Sequence, residues 1–121
     1  MTRLSIRIDF NGGQRLGPGK IQLLELVDSC GSITASAKKM NMSYRRAWLL
    51  IEELNEMFDS QLVETRPGGR GGGNAKLSLL GRAVIQAYRS LENDAERISS
   101  ARMNELSRHV RGTKAAVRKE K

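Results

Sequence analysis

A tight break between two helix-forming segments within residues 31–58 limits the possible folds most. Ser32 precedes a short segment with apolar residues at helical spacing, and Ser43 precedes a longer one that continues to about Phe58. Serine favours this position because its hydroxyl accepts a hydrogen bond from a free N–H of the first helical turn. Only a turn around Asn41 separates the two segments. The spacing therefore predicts a helix-turn-helix unit over residues 32–58.

The residues before this unit divide into a strand-like segment and a helix. Residues 3–10 alternate between apolar and polar side chains, which is the pattern of a half-buried strand. The "NGG" at 11–13 indicates a turn, and Pro18 suits the first turn of a helix. Apolar residues then recur at helical spacing up to Cys30, where Gly31 ends the helix. We expect Cys30 itself to be a small buried hydrophobic residue.

A glycine-rich stretch at 68–73 lies between two strand-like segments, "QLVET" at 61–65 and "AKLSL" at 75–79. This arrangement predicts a β-hairpin over residues 61–79, with the glycines at its tip. The outer glycines have the spacing of a nucleotide-binding P-loop, but Asn74 stands where that loop requires lysine, and a strand follows instead of a helix. A dinucleotide-binding site is not predicted either, because the glycines do not lie within a βαβ unit.

A long helix is predicted over residues 81–107. Its apolar positions recur at spacings of four and three residues, and they are Val84, Tyr88, Leu91, Ala95 and Ile98. Such a seam is typical of a helix that packs lengthwise on another helix. The order of elements predicts a mainly α fold with a small β-hairpin (α+β), a winged helix-turn-helix domain of residues 1–107. Residues 108–121 are predicted to be a basic, disordered tail.

The net charge of +8 favours a polyanionic partner. The excess is concentrated in residues 1–20 (+3), 62–82 (+3) and 108–121 (+5). A surface of this kind gains affinity from phosphate contacts and from the release of counterions. The alternative is a soluble basic protein with a disordered tail.

Other classes of function find little support in the composition. The chain has one cysteine and one histidine, so it predicts neither an internal disulfide nor a metal site. No apolar run approaches the ~20 residues of a membrane span, and the N-terminus does not resemble a signal peptide. We expect a cytoplasmic protein that is not an enzyme and needs no cofactor.

The charges of the longer helix are sorted along its axis. Arg45 and Arg46 lie near its start, whereas the carboxylates of residues 52, 53, 56 and 59 lie towards its end. A recognition helix presents its N-terminal residues to the base edges of the major groove. We expect Arg45 to contact guanine O6 and N7, Arg46 to contact a base or the backbone, and Ser43 and Tyr44 to contact phosphates. The alternatives are that Ser43 is only an N-cap and that both arginines are merely solvated.

Five further cations flank this helix in the predicted fold. Lys38 and Lys39 precede the turn and are expected to lie beside the DNA backbone. Arg66, Arg70 and Lys76 belong to the hairpin, where they could reach phosphates or the minor groove. The alternative is a mobile turn with incidental charge.

At these residues the sequence resembles the ModE family of molybdate-responsive transcriptional regulators, in its N-terminal DNA-binding domain. The matching stretches are "GSI" (31–33), "ASAKKM" (35–40), "SYRRAW" (43–48), "LVE" (62–64) and "GGRGGGNAKLS" (68–78). A wider resemblance extends to LysR-type regulators. The resemblance covers about residues 16–91 and implies a homodimer, held by the first and last helices, on a palindromic DNA operator.

ModE proteins sense molybdate with C-terminal oxyanion-binding modules, and we expect none within these 121 residues. The alternatives are a constitutive regulator, one controlled by its own abundance, or the partner of a separate molybdate-binding protein. Besides a sequence-specific dimeric regulator, the basic surfaces also fit an architectural DNA- or RNA-binding protein without sequence preference.

Overall fold

The computed structural model describes residues 2–66 and 74–112, which form two small antiparallel hairpins and four α-helices. The elements are β1 (Ile8–Asp9), β2 (Arg15–Leu16), α1 (Pro18–Cys30), α2 (Ile33–Lys39), α3 (Tyr44–Met57), β3 (Val63–Arg66), β4 (Asn74–Leu77) and α4 (Leu79–His109). β1 pairs with β2, and β3 pairs with β4. The order confirms the predicted winged helix-turn-helix, a mainly helical fold with a small hairpin and a long C-terminal helix.

The core is mainly aliphatic, and every helix contributes side chains to it. Its fully buried side chains include Ile21, Leu24 and Val27 of α1, Ala47, Ile51 and Leu54 of α3, and Leu62 and Val63 at the start of the β3–β4 hairpin (residues 61–79), which is the wing of this fold. Tyr88 of α4 is 1% exposed, and its hydroxyl donates a hydrogen bond of 2.6 Å to the carbonyl of Ile6. Burial of these apolar surfaces stabilises the fold and fixes which face of α3 is left outside.

The helix-turn-helix unit carries both predicted caps. The Ser32 hydroxyl accepts a 2.9 Å hydrogen bond from the backbone N–H of Ala35, and the Ser43 hydroxyl accepts one of 3.1 Å from Arg46. Between the helices, Asn41 has a left-handed backbone conformation with φ of 58°. Asparagine tolerates this conformation better than most residues. The chain can therefore reverse within four residues, which brings the end of α2 close to the start of α3.

The N-terminal segment differs from the predicted strand over residues 3–10. Only Ile8 and Asp9 pair with a second strand, because the chain that would continue the pairing enters α1 at Pro18. The preceding residues instead run beside α4, where the backbone N–H of Leu4 donates to the Glu96 carboxylate at 3.0 Å. The alternation of exposure holds from Arg3 to Asp9 and fails at Phe10, which is 39% exposed. Ile6 and Ile8 pack against the core.

Both boundaries of α4 also differ from the sequence expectations. α4 begins at Leu79 because the Ser78 hydroxyl caps it, accepting a 3.0 Å hydrogen bond from the N–H of Gly81. At its other end α4 continues to His109, so the first two residues of the predicted tail are helical. Residues 113–121 lie outside the described part of the chain.

Cys30 is half-buried rather than buried. It is the last residue of α1, where the helix leaves the core and Gly31 takes a left-handed conformation with φ of 74°. Within residues 2–66 and 74–112, no helix combines the length and the apolar character needed to cross a membrane.

Candidate nucleic-acid interface

The start of α3 presents polar side chains to solvent while its opposite face is fixed in the core. Tyr44 is 55% exposed, and Arg45 and Arg46 are also exposed. Ala47 and Ile51, which follow on the inner face, are 0% and 1% exposed. Because these buried side chains fix the rotation of the helix, both arginines are held on its outer side.

Lys38 and Lys39 extend this basic surface across the turn. They are the last two residues of α2, and both are exposed. The hydrogen bond from the N–H of Met42 to the carbonyl of Ala37, 3.0 Å long, closes the turn and keeps the two helix ends together. Lysines at a helix C-terminus also interact favourably with the helix dipole, which is a structural role independent of any ligand.

The wing places two further cations on one face of the hairpin. In the strand register Glu64 is opposite Lys76, and Arg66 is opposite Asn74. Side chains alternate between the two faces of a strand. Val63, Ala75 and Leu77 point to the core, so the four polar residues share the outer face. Arg70 lies outside the described residues.

The candidate cations differ from several other cations of the described residues in that they form no ion pair. Within residues 2–66 and 74–112 the ion pairs are Arg7–Asp9, Lys20–Glu53, Arg82–Asp28, Arg89–Glu25, Arg89–Glu92 and Arg97–Asp94. None of the six described candidate cations (Lys38, Lys39, Arg45, Arg46, Arg66 and Lys76) takes part in them. Their charges are therefore available to an anion from outside this part of the chain.

The acidic residues of α3 lie towards the end opposite to its basic first turn. Glu52, Glu53 and Glu56 are exposed in the last turns of the helix, and Glu53 pairs with Lys20 at 3.1 Å. A duplex that approaches the first turn of α3 thus meets positive charge, while the carboxylates lie up to ~15 Å further along the axis.

A second polar cluster joins α1 to α4. Arg89 donates to the Glu25 carboxylate from Nε (2.9 Å) and Nη2 (2.8 Å), and to Glu92 from Nη1 (2.6 Å). These hydrogen bonds to the two carboxylates raise the pKa of the Arg89 guanidinium above its usual value. Burial raises the pKa of the neighbouring Tyr88 hydroxyl. Since Arg89 of α4 bonds to Glu25 of α1, this cluster links the two helices.

Sequence reasoning missed two polar residues near the interface. Glu64 shares the outer face of the wing with Lys76 and reduces its net charge. Asn55, in the interior of α3, bonds through its side chain to the backbone of Leu62 and Val63. The available signal was an asparagine beside the core residue Leu54, since asparagine is a weak helix former unless its side chain has a partner.

No three His, Cys, Asp or Glu side chains of the described residues lie close enough together to hold a metal ion. Trp48 is half-buried against the core. The polar chemistry offered at this surface is therefore that of exposed guanidinium, ammonium and hydroxyl groups.

The sequence profile of bacterial regulatory helix-turn-helix proteins of the lysR family matches residues 19–82 of this chain. That span covers α1 through the start of α4 and is more than half of the 121 residues. The chain belongs to the lysR family. Its LysR-type region contains every described candidate residue of the interface.

Similar proteins include molybdenum regulators and binding proteins. The chain is 41% identical over 81 residues to molybdenum-pterin-binding protein MopA of Rhodobacter capsulatus, an alignment covering 67% of this chain and 31% of MopA. It is 35% identical over 111 residues to molybdenum transport protein ModE of Azotobacter vinelandii (88% and 40%). It is 42% identical over 71 residues to the DNA-binding transcriptional dual regulator ModE of Escherichia coli K12 (59% and 27%). The resemblance to ModE proteins is confirmed, and this LysR-family chain spans less than half the length of each relative.

Proposed function

We propose that this chain is a sequence-specific, DNA-binding transcriptional regulator that acts as a homodimer and reads the major groove with the first turn of α3. The observation that supports this most is that Arg45 and Arg46 are exposed, unpaired within the described chain, and held outward by a buried opposite face. A guanidinium matches the O6 and N7 acceptors of guanine bidentately. We assign this contact to Arg45, and a base or backbone contact to Arg46.

Ser43 and Tyr44 complete the recognition turn as phosphate ligands. The Ser43 hydroxyl accepts from the N–H of Arg46, and the same hydroxyl retains a proton that it can donate. Tyr44 is 55% exposed, so its hydroxyl is accessible to a duplex. Contacts of this type fix the register of a protein on DNA without reading its sequence.

The remaining cations are proposed to contact the backbone on either side of the groove. Lys38 and Lys39 are included because they lie at the end of α2. Arg66 and Lys76 are included because they share the outer face of the wing. Arg70 is included because of its position in the sequence between the two wing strands. Each contact would contribute to affinity by releasing counterions.

The second half of α4 supports the homodimer. Leu91, Ile98 and Leu106 are 49%, 71% and 68% exposed, yet they lie on the side of the helix that buries Val84 and Tyr88 nearer its start. A second copy of α4, related by a two-fold axis, would cover this apolar side. Two-fold symmetry would in turn place two recognition helices on a palindromic site.

Competition binding tests the proposal. A duplex recovered by selection and a random duplex of equal length compete for the labelled complex at physiological salt. We expect the chain to prefer the selected duplex by ~10³-fold or more. Equal competition by both duplexes would contradict sequence recognition and favour the alternative, an architectural DNA- or RNA-binding protein.

A further inference from the structure

Asn55 links the recognition helix to the wing through three hydrogen bonds. Its Oδ1 accepts from the backbone N–H of Leu62 (2.8 Å) and of Val63 (3.0 Å), and its Nδ2 donates to the carbonyl of Val63 (3.1 Å). Both the oxygen and the nitrogen of the Asn55 amide thus bind the backbone where β3 starts. Because only a loop joins α3 to β3 along the chain, these hydrogen bonds fix the position of the start of β3 relative to α3.

The same stretch of backbone is held from the other side by α4. The carbonyl of Leu62 accepts a 2.9 Å hydrogen bond from the N–H of Ser78, and the Ser78 hydroxyl donates to the carbonyl of Gln61 at 2.6 Å. Gly81 packs directly on Leu62, leaving no room for a Cβ against its carbonyl oxygen. The Leu62 side chain is 0% exposed. The start of the wing is therefore clamped between α3 and α4.

α3 ends and β3 begins near this joint, the contact of Asn55 with Leu62 and Val63, and each carries a proposed DNA-binding cation at some distance from it. Arg45 lies ten residues before Asn55 on the same helix, a rise of ~15 Å. Arg66 lies three residues after Val63 on the same strand, ~10 Å away. A small rotation at the joint would change the separation between the two cations, and thus their fit to phosphates at fixed positions on a duplex.

We infer that Asn55 is a positioning residue that couples the wing to the recognition helix, so that both bind one duplex as a rigid unit. Asn55 does not itself contact DNA in this role. The inference rests on the proposed function, because it concerns how the same interface is held. Losing the coupling leaves the wing cations present but requires the duplex to order them at a cost in affinity.

A double-mutant cycle tests this role. Affinities for the selected duplex are measured over a range of salt for four proteins: the natural chain, Asn55→Ala, Arg66→Ala with Lys76→Ala, and all three changes together. We expect Asn55→Ala alone to weaken binding about tenfold and to lower the salt slope towards that of the wing variant. In the background that lacks Arg66 and Lys76, we expect Asn55→Ala to cause a much smaller loss, because Arg70 is the one proposed wing contact that remains.

Losses that multiply across the cycle, or a salt slope left unchanged by Asn55→Ala, would overturn the inference, because Asn55 would then act through general stability. Asn93→Ala is the matched control, since Asn93 is exposed on α4. It is expected to bind like the natural chain. A natural chain without sequence preference would refute the proposed function instead.

Asn55→Asp provides a second route if Asn55→Ala fails to fold by circular dichroism. The carboxylate keeps both acceptor bonds, loses the donor bond to Val63, and places an oxygen beside that carbonyl. The same cycle and the same criteria then apply to Asn55→Asp. Failure of both variants to fold would show that Asn55 serves the fold itself, and would also overturn the inference.

Discussion

Arg45 and Lys76 illustrate two kinds of exposed cation in this interface. Arg45 is on the first turn of α3, which in the proposed complex lies in the major groove within reach of base edges. Lys76 is on the outer face of the wing, opposite Glu64. A base contact discriminates between sequences, whereas a phosphate contact adds affinity for every sequence. The two side chains are therefore a matched pair for separating specificity from affinity.

Arg45→Ala is expected to weaken binding to the selected duplex by ~10- to 100-fold while changing binding to random duplexes little, because a bidentate guanine contact is lost. Lys76→Ala is expected to weaken binding to both duplexes equally and to lower the salt slope by ~0.9. Fluorescence anisotropy titrations of both variants against both duplexes measure this. An equal loss on every duplex for Arg45→Ala would mean that Arg45 does not read bases.

Gly81→Ala is expected to lower the free energy of unfolding by ~1–3 kcal/mol, because a methyl group at this position would overlap the Leu62 carbonyl oxygen. Gly19→Ala is the matched control. A Cβ at Gly19, in the first turn of α1, meets nothing within 4 Å, so no loss is expected. Urea denaturation measures both, and equal stability of the two variants would contradict the close approach of α4 to the wing.

At the scale of elements, α4 is longer than the fold itself requires. It spans 31 residues, ~46 Å, but its buried residues (Gly81, Val84 and Tyr88) all lie in the first ten. The same side remains apolar through Leu91 and Ile98 beyond the core. This continuity is the physical basis for the proposed homodimer.

Ile98→Glu is expected to convert the dimer to a monomer of 13.4 kDa and to weaken binding to the selected duplex, because a carboxylate would be buried at the centre of the apolar side. Asn93→Glu adds the same charge on the other side of α4 and is expected to remain dimeric. Sedimentation equilibrium distinguishes these masses. A natural chain that is monomeric at micromolar concentration would contradict a dimer through α4.

At the scale of the whole molecule, the excess positive charge lies in residues 1–20, 62–82 and 108–121 of the sequence. Residues 113–121 carry four basic residues and one acidic residue. Removing them is expected to lower the salt slope of DNA binding while preserving the preferred sequence, because phosphate contacts carry no sequence information. A selection repeated with the shortened chain checks this, and a changed motif would contradict it.

Much of this fold could be predicted from the sequence because its signals are local. Ser32 and Ser43 act as caps within their own helices, and Gly31 supplies the left-handed residue that ends α1. The alternation over residues 3–9 indicated correctly which side chains are covered, but periodicity does not identify the neighbouring element, and here Leu4 and Ile6 bond to α4. Partners distant in sequence carry no such local signal.

In the candidate site, too, local features could be predicted from the sequence, whereas contacts between distant residues could not. The exposure of Arg45 and Arg46 follows from helical periodicity, which places them away from Ala47 and Ile51. The role of Asn55 depends on Leu62 and Val63, seven and eight residues later, and on a loop whose path the sequence does not specify. Glu64 was likewise missed as a neighbour of Lys76, because strand register is fixed by pairing across the wing.

Selection of bound fragments from a random pool of duplexes, using the whole chain at physiological salt, tests the central claim most directly. We expect the recovered fragments to share a two-fold symmetric motif, with half-sites separated by about one helical turn, 10–10.5 base pairs. Fragments that share no sequence, at any protein concentration, would contradict a dimer that reads bases through α3.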